Sequence, residues 1–423
     1  MAVIAIRGGK PLKLEELRSH LGLATRLENI AVLLGAGCSS GLGGETMHQV
    51  WQGFRRDFQQ SREWLQQEGF LTAAEQAQPD TVNIESKLDV LAAAEQEWAR
   101  QAPQPAGLLA LRQHRANLYR SLIRGAILDR ALWTTPEIAH GHAGLRAHRE
   151  LLIKLVGNRQ PGQASPWVFT TNFDLSVEWA GESLGLHVNN GFSGVHNRTF
   201  APHNFDLGLR NVQARGEARF GVYNCYLAKL HGSLTWISPG GQVLREIPGA
   251  YSLAALDAFL GGGGAWPNVL IYPGASKYIQ TTSFVYGELM RKFSEVLSRR
   301  QVCLVVCGYS FSDEHLNRVL MSALQNPTLH LILYTPSLTA VGNPPVYSIP
   351  NNVWLAELLA LQLPQVTFVG SGADAYFASM VDMLPEPALF DDRSEQARRL
   401  MRAIEQAAGA ANQAPQGGGN QAA

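Results

Sequence analysis

The chain is 423 residues long, room for two to three domains of ~150 residues each, and its 46% hydrophobic and 17% charged residues exclude disorder as the main state. Thirty-five Lys and Arg against 35 Asp and Glu leave no net charge, which excludes a generally basic, nucleic-acid-coating surface. No apolar run reaches the ~20 residues of a membrane span, residues 1–9 lack the apolar core of a secretory signal, and four cysteines are too few for a disulfide scaffold, so a soluble cytoplasmic protein in a reducing compartment is expected.

In chain order, residues 31–35 (A-V-L-L-G) form a short apolar run ending in glycine, which reads as a buried strand. Residues 44–165 are rich in Gln, Ala, Leu and Arg with no convincing strand, and predict a mostly helical insertion. Further strands are predicted at 167–171, 227–230, 269–272, 302–307, 329–334 and 366–369. Their runs are continuous rather than alternating, the pattern of strands covered on both faces in a parallel sheet. Helices are predicted between several of them. In 283–300, Phe284, Leu289, Phe293, Val296 and Leu297 share a face; in 313–324, Leu316, Val319, Leu320, Ala323 and Leu324 do so. Residues 187–226 read as a long irregular loop region, 261–264 as a flexible glycine loop and 407–423 as a disordered tail. The alternation predicts an α/β fold, a doubly wound Rossmann-like parallel sheet with a large helical insertion. The domains expected are residues 1–43 as its start, 44–165 as the insertion, 166–400 as its remainder and 401–423 as a largely disordered tail.

Four motifs carry chemistry, and each follows a predicted strand of one sheet. The first is G-A-G-C-S-S-G at 35–41. Gly35 and Gly37 allow a sharp turn and close approach to a ligand, the N–H groups suit a pyrophosphate, and Ser39 and Ser40 add hydroxyls. It departs from G-x-G-x-x-G, and a plain structural turn is the other reading. The second is F-T-T-N-F-D at 169–174, where Asn172 offers an amide for a hydroxyl or water and Asp174 a carboxylate; Asp174 as a helix cap is the alternative. The third, K-L-H-G-S at 229–233, places His231 at a strand end, either as a general base or as a hydrogen-bonded structural histidine. The fourth is C-G-Y-S-F-S-D-E-H-L at 307–316. Gly308 ends a strand, Ser310 could hold a ribose or phosphate, Ser312 or Asp313 can cap the next helix, and Asp313 and Glu314 suit its first turn. Strand ends of one open sheet converge on one crevice.

This order of motifs resembles the sirtuin superfamily, and most closely its bacterial NAD-hydrolysing branch used in anti-phage defence. The resemblance spans residues 30 to about 325 and includes Asn83-Ile84-Glu85, similar to an N-I-E element of that branch; a capping role for Asn83 is its local explanation. Deacylases of the superfamily hold a structural zinc on two C-x-x-C pairs. Here Cys38, Cys225, Cys303 and Cys307 form no such pair, Cys303 and Cys307 read as core residues, and residues 41–51 lack the proline and arginine of the deacylase loop.

The resemblance implies that Asn172 holds the ribose or the attacking water, that His231 is the general base, and that Asp174 lies by the nicotinamide ribose or orients a neighbour. It implies Gly35, Ala36, Gly37, Ser39 and Ser40 at the phosphates, Thr171 in the binding set, and Gly308, Tyr309 and Ser310 with Asp313 or Glu314 at the adenosine. The substrate implied is NAD, cleaved to ADP-ribose and nicotinamide with no metal. Only 113 residues follow Ser310 (423 − 310), so control by a partner in trans is expected. The implied partner is a HerA-type ATP-driven translocase in a homo-oligomeric assembly, without membrane or direct nucleic-acid contact. A nucleotide-sensing subunit without turnover and a protein deacylase or ADP-ribosyl transferase are the alternatives.

Overall fold

Two antiparallel strands, β1 (Ile4–Arg7) and β2 (Lys10–Pro11), precede the amphipathic helix α1 (Leu14–Ala24) and the first central strand, β3 (Asn29–Leu34). Every residue of β3 is buried. Ile30, Val32 and Leu34 enter the core on one face of the sheet, Ala31 and Leu33 the core on the other. Period-two alternation between two apolar layers is why the run is continuously apolar. The coordinates are a computed structural model that describes residues 3–82, 84–159, 163–209, 224–238, 243–262, 269–271 and 279–387.

After β3 come α2 (Met47–Asp57), α3 (Gln59–Gln67), α4 (Ala73–Ala77), α5 (Ile84–Arg100), α6 (Leu108–Ile127), α7 (Ala131–Thr134) and α8 (Arg146–Gly157), with short 3-10 turns between them. Among the described residues this stretch holds no strand. Trp51 and Phe54 of α2, Leu88 and Leu91 of α5, and Leu118 and Leu122 of α6 pack into the same core as Val32 and Leu34, so the helical segment is continuous with one face of the sheet. Thr46 caps α2 by accepting from the Gln49 N–H, while the Gln49 side chain returns to the Thr46 N–H.

The chain re-enters the sheet with β4 (Trp167–Thr170), crosses by α9 (Ser176–Ser183) to β5 (His187–Asn189), and forms β6 (Phe192–Ser193) and β7 (Arg198–Phe200). Then follow β8 (Asn224–Lys229), β9 (Gly232–Ile237), β10 (Arg245–Glu246), α10 (Gly249–Leu260), β11 (Val269–Ile271), α11 (Ile279–Leu297), β12 (Val302–Cys307), α12 (Glu314–Ala323) and β13 (Leu329–Thr335). A hairpin of β14 (Thr339–Val341) and β15 (Val346–Ser348), then α13 (Val353–Ala360), β16 (Val366–Gly370) and α14 (Phe377–Met383) complete the described elements.

The large sheet runs β2-β1-β16-β13-β12-β3-β4-β8-β5. All pairings from β16 to β5 are parallel, and β1 pairs antiparallel with both β16 and β2. The α/β, Rossmann-like architecture expected from the sequence is therefore present.

Three details differ from the sequence expectation. The strand at 269–271 is not in the parallel sheet; it pairs antiparallel with β9 in a second sheet ordered β11-β9-β10-β7-β6. The run V-L-I-Y is as apolar as those of the large sheet, and an apolar run carries no mark of which sheet it joins. The region from 187 is not wholly irregular, since β5, β6 and β7 fall within it. They are only two or three residues long, too short for a periodicity to register. Phe284, expected on the buried face of α11, is 56% exposed, and Val285 takes the core position with Leu289, Phe293, Val296 and Leu297. The proposed cap at Asn83, half of the 261–264 glycine run and the 407–423 tail lie outside the described residues.

Candidate functional site

The crevice of an open parallel sheet lies where successive connections leave in opposite directions. From β3 the chain builds outward through β4 and β8; it later returns to the other side of β3 with β12, β13 and β16. The carboxyl ends of β3 and β12 thus sit side by side and lead into different layers. A cavity of about 700 Å³ opens over these ends, within the range of small-molecule sites.

Two glycines bring the β3 and β12 loops together. A Cβ on Gly35 would lie 2.3 Å from the Gly308 carbonyl oxygen and 2.5 Å from Tyr309 Cα. Gly308 has φ +67°, and a Cβ there would lie 2.7 Å from the Cys38 nitrogen. The Gly35 N–H donates to the Cys307 carbonyl and the Gly37 N–H to the Gly308 carbonyl, at 3.0 and 3.1 Å. These two amides serve backbone packing. The expectation that they cradle a phosphate is corrected accordingly, and Gly35 does not line the cavity. Ala36, Gly37, Ser39 and Ser40, from the 3-10 turn Ala36–Leu42, do line it.

Asn172 follows β4 and is fixed through its amide nitrogen, which donates to the Gly35 carbonyl at 3.0 Å and to Ser39 Oγ at 2.9 Å. A carbonyl only accepts, so the nitrogen must face Gly35 and the amide oxygen must face away. That oxygen is buried and has no hydrogen-bond partner among the described residues, in a side chain that lines the cavity and is 8% exposed. Ser39 Oγ donates onward to Asp174 Oδ2 at 2.6 Å, and Asp174 Oδ1 accepts from the Ser176 N–H at 2.9 Å. One Asp174 oxygen therefore holds the turn into α9, and the other anchors the Ser39–Asn172 chain. Lys229, at the end of β8 and 1% exposed, braces this loop from below by donating to the Asp174 carbonyl and to Glu178 Oε1.

His231 lies in the two-residue link between β8 and β9, where the chain leaves the large sheet for the small one. Gly232, at φ +96°, makes that turn possible. The imidazole is buried. Nε2 donates to Asp313 Oδ2 at 2.9 Å, and Nδ1 lies 3.8 Å from Glu85 Oε1. Burial alone would lower its pKa, but the Asp313 hydrogen bond and the Glu85 and Asp313 charges outweigh it and raise the pKa above the ordinary value. Burial pushes Asp313 the other way, yet the His231 hydrogen bond and charge, with the Leu316 and His315 N–H groups, hold its carboxyl below the usual range. Burial raises Glu85 despite the opposing His231 charge.

Asp313 was expected at an adenosine. It is the N-cap of α12, accepting from His315 and Leu316, and its second oxygen is committed to His231. Glu314 is exposed, ion-paired with Arg318 at 3.1 Å, and outside the cavity lining. Thr171, Gly308, Tyr309 and Ser310 line the cavity, with Ser310 Oγ 2.8 Å from Ser312 Oγ. The sequence reading assigned no role to Glu85, whose one signal is the N-I-E tripeptide. It also passed over Glu45, Met47 and His48 at the start of α2, and Tyr376 and Phe377 at α14, all of which line the cavity. No periodicity or turn chemistry marks these residues, because they reach the site only through tertiary packing.

A doubly wound α/β sheet with a nucleotide-sized cavity at its switch point, walled by an amide, an imidazole and carboxylates, defines the class of protein. Residues 166–337, from the start of β4 to just beyond β13, match the SIR2-like domain family. That stretch carries Asn172, Asp174, His231 and Asp313, supports a sirtuin-like protein, and points to NAD-related activity; Gly35–Ser40 and Glu85 lie outside it. No curated protein matches the chain.

Proposed function

We propose that this protein is an NAD hydrolase, cleaving the bond between nicotinamide and ribose to release nicotinamide and ADP-ribose. The observation that carries the reading is the Asn172 carboxamide, locked through its nitrogen with a buried, unpartnered oxygen, in the same cavity as His231. Breaking an N-glycosidic bond builds positive charge on the sugar. The Asn172 oxygen would accept from a ribose hydroxyl or an entering water. His231 would accept the proton released. Glu45, Glu85, Asp174 and Asp313 make the cavity field negative, which favours the developing cation. Ser39 is committed to Asp174 and Asn172, so the hydroxyl of this turn that would serve the pyrophosphate is that of Ser40, turned away from the Gly37 carbonyl. The SIR2-like match supports the same substrate.

The test is incubation of the purified protein with NAD, alone and with a candidate partner ATPase, with products separated by chromatography. Equal amounts of nicotinamide and ADP-ribose are expected in at least one arm; intact NAD in both overturns the reading.

An unrestrained NAD hydrolase drains its cell. The proposal therefore extends to an effector of anti-phage defence that acts by NAD depletion, is homo-oligomeric, and is controlled by a HerA-type ATPase that makes the contact with DNA. The ordered motifs and the zero net charge support this extension. Light scattering at micromolar concentration should give a mass well above the 46.2 kDa of one chain, and a monomer with and without the partner would refute it.

The raised pKa of His231 sets the pH profile. A base must be neutral to accept a proton, so turnover should rise with pH through a value above the ordinary ~6.5 of histidine. Asp313→Asn removes one of the charges that favour the imidazolium. The rising limb should then move to lower pH, and a limb that stays in place in a folded variant would exclude Asp313 from this role.

A further inference from the structure

The helical segment between β3 and β4 contributes a carboxylate to the histidine site. Ile84, Leu88, Leu91 and Ala92 form the buried stripe of α5. Glu85 and Asp89, four residues apart and on another face, turn toward the strand-end loops. Glu85 lines the cavity with its side chain 17% exposed, and its Oε1 is 3.8 Å from His231 Nδ1. On the opposite edge of the same ring, Asp313 of α12 binds Nε2 at 2.9 Å. The imidazole thus stands between two carboxylates from two structural layers, one beyond the carboxyl end of the central strand β12 and one in the helical segment.

We infer that Glu85 is a positioning residue for His231: it holds the Nδ1 edge of the ring and sets the proton affinity of the imidazole jointly with Asp313, so that the histidine site is complete only when α5 is docked on the sheet. Hydrogen-bond contact through Nε2 alone leaves a ring free to swing about that contact, and a second charge across the ring removes this freedom. The charged and titratable groups around the pair are few. Asp89 of α5 lies near Glu85 and Asp313, His315 of α12 lies near Asp89, and the Tyr309 hydroxyl donates to the Asp313 carbonyl and to Asn317. Phe173, whose ring centre is 6.5 Å from that of His231, closes another side without charge. Asp313 and Glu85 both act directly on His231 by their charge.

The kinetic consequence rests on the reading of His231 as proton acceptor, whereas the titration itself does not. The experiment is an NMR titration of the full chain labelled at histidine Cε1, with the His231 resonance among the 12 histidines assigned by its loss in His231→Gln. In Glu85→Gln the His231 midpoint should fall, and in Glu85→Asp, which keeps the charge at shorter reach, it should fall less. An unchanged midpoint in folded Glu85→Gln overturns the inference; should that variant not fold, an unchanged midpoint in Glu85→Asp does so. The rising limb of NAD turnover should move to lower pH in step with the midpoint, and the plateau should fall by less than the ~100-fold expected for losing the imidazole. A shifted midpoint with no NAD cleavage by any variant, wild type included, would retain Glu85 as the partner of His231 and remove the hydrolase reading.

Discussion

Replacing either His231 or Asn172 by alanine is expected to lower NAD turnover at least ~100-fold, the scale of a positioned acid–base group and about 2.7 kcal/mol of transition-state stabilisation. The two losses differ in kind. His231→Ala takes the ring from between Asp313 and Glu85 and leaves two half-buried carboxylates with no imidazole between them. Part of its cost will appear as lower stability, because removing one partner of a buried charged group leaves the others uncompensated. Asn172→Ala deletes the open acceptor at the cavity wall and leaves the Gly35 carbonyl without its side-chain donor. Its effect should fall mainly on kcat, since the fold around Gly35 is also held by backbone bonds. Product chromatography with urea unfolding of each variant separates these effects. A folded variant of either kind with near wild-type turnover would show that its assigned role is wrong.

Gly35→Ala is the substitution with the largest expected effect on folding. The new methyl would sit 2.3 and 2.5 Å from backbone atoms of Gly308 and Tyr309, and neither can move without parting the β3 and β12 loops. A loss of about 3 kcal/mol or more is expected, at the upper end of overpacking costs, because no rotamer relieves a clash between two main chains. Gly41→Ala is the matched control: it lies in the same motif, and a Cβ there meets nothing within 4 Å. Denaturant midpoints of the two variants should differ sharply. Equal midpoints would mean that the glycine in the first motif is not there for packing.

That comparison bears on what glycine-rich motifs say. G-A-G-C-S-S-G was legible as a turn after a strand, and it is one. Its reading as a phosphate cradle came from a general association of such turns with nucleotides, whereas Gly35 and Gly37 spend their amides on Cys307 and Gly308. The closeness of two loops widely separated in sequence has no local signature. Asp313 gives the opposite case. Its capping of α12 was readable from S-D-E-H, and its contact with His231 was not, although the same carboxylate does both through its two oxygens.

Much of the architecture was local information. Largely apolar runs marked β3, β4, β8, β12, β13 and β16, because a strand buried on both faces is apolar at most positions and must turn where it emerges. Asn172 and His231 were legible for the same reason: polar residues directly after such runs stand at strand ends, where open sheets bind ligands. Tertiary packing decided the rest. Apart from β9, the second sheet is made of strands of two or three residues, too short to show a period. The Ser39–Asn172–Asp174 chain and the Glu85–His231–Asp313 clamp join residues from separate layers, and hydrogen bonds and charge pairs act over a few ångströms of space whatever the distance along the chain. The sequence alone indicated a Rossmann-like sheet with polar groups at its strand ends; the fold decided which of those groups meet and brought Glu85 to them.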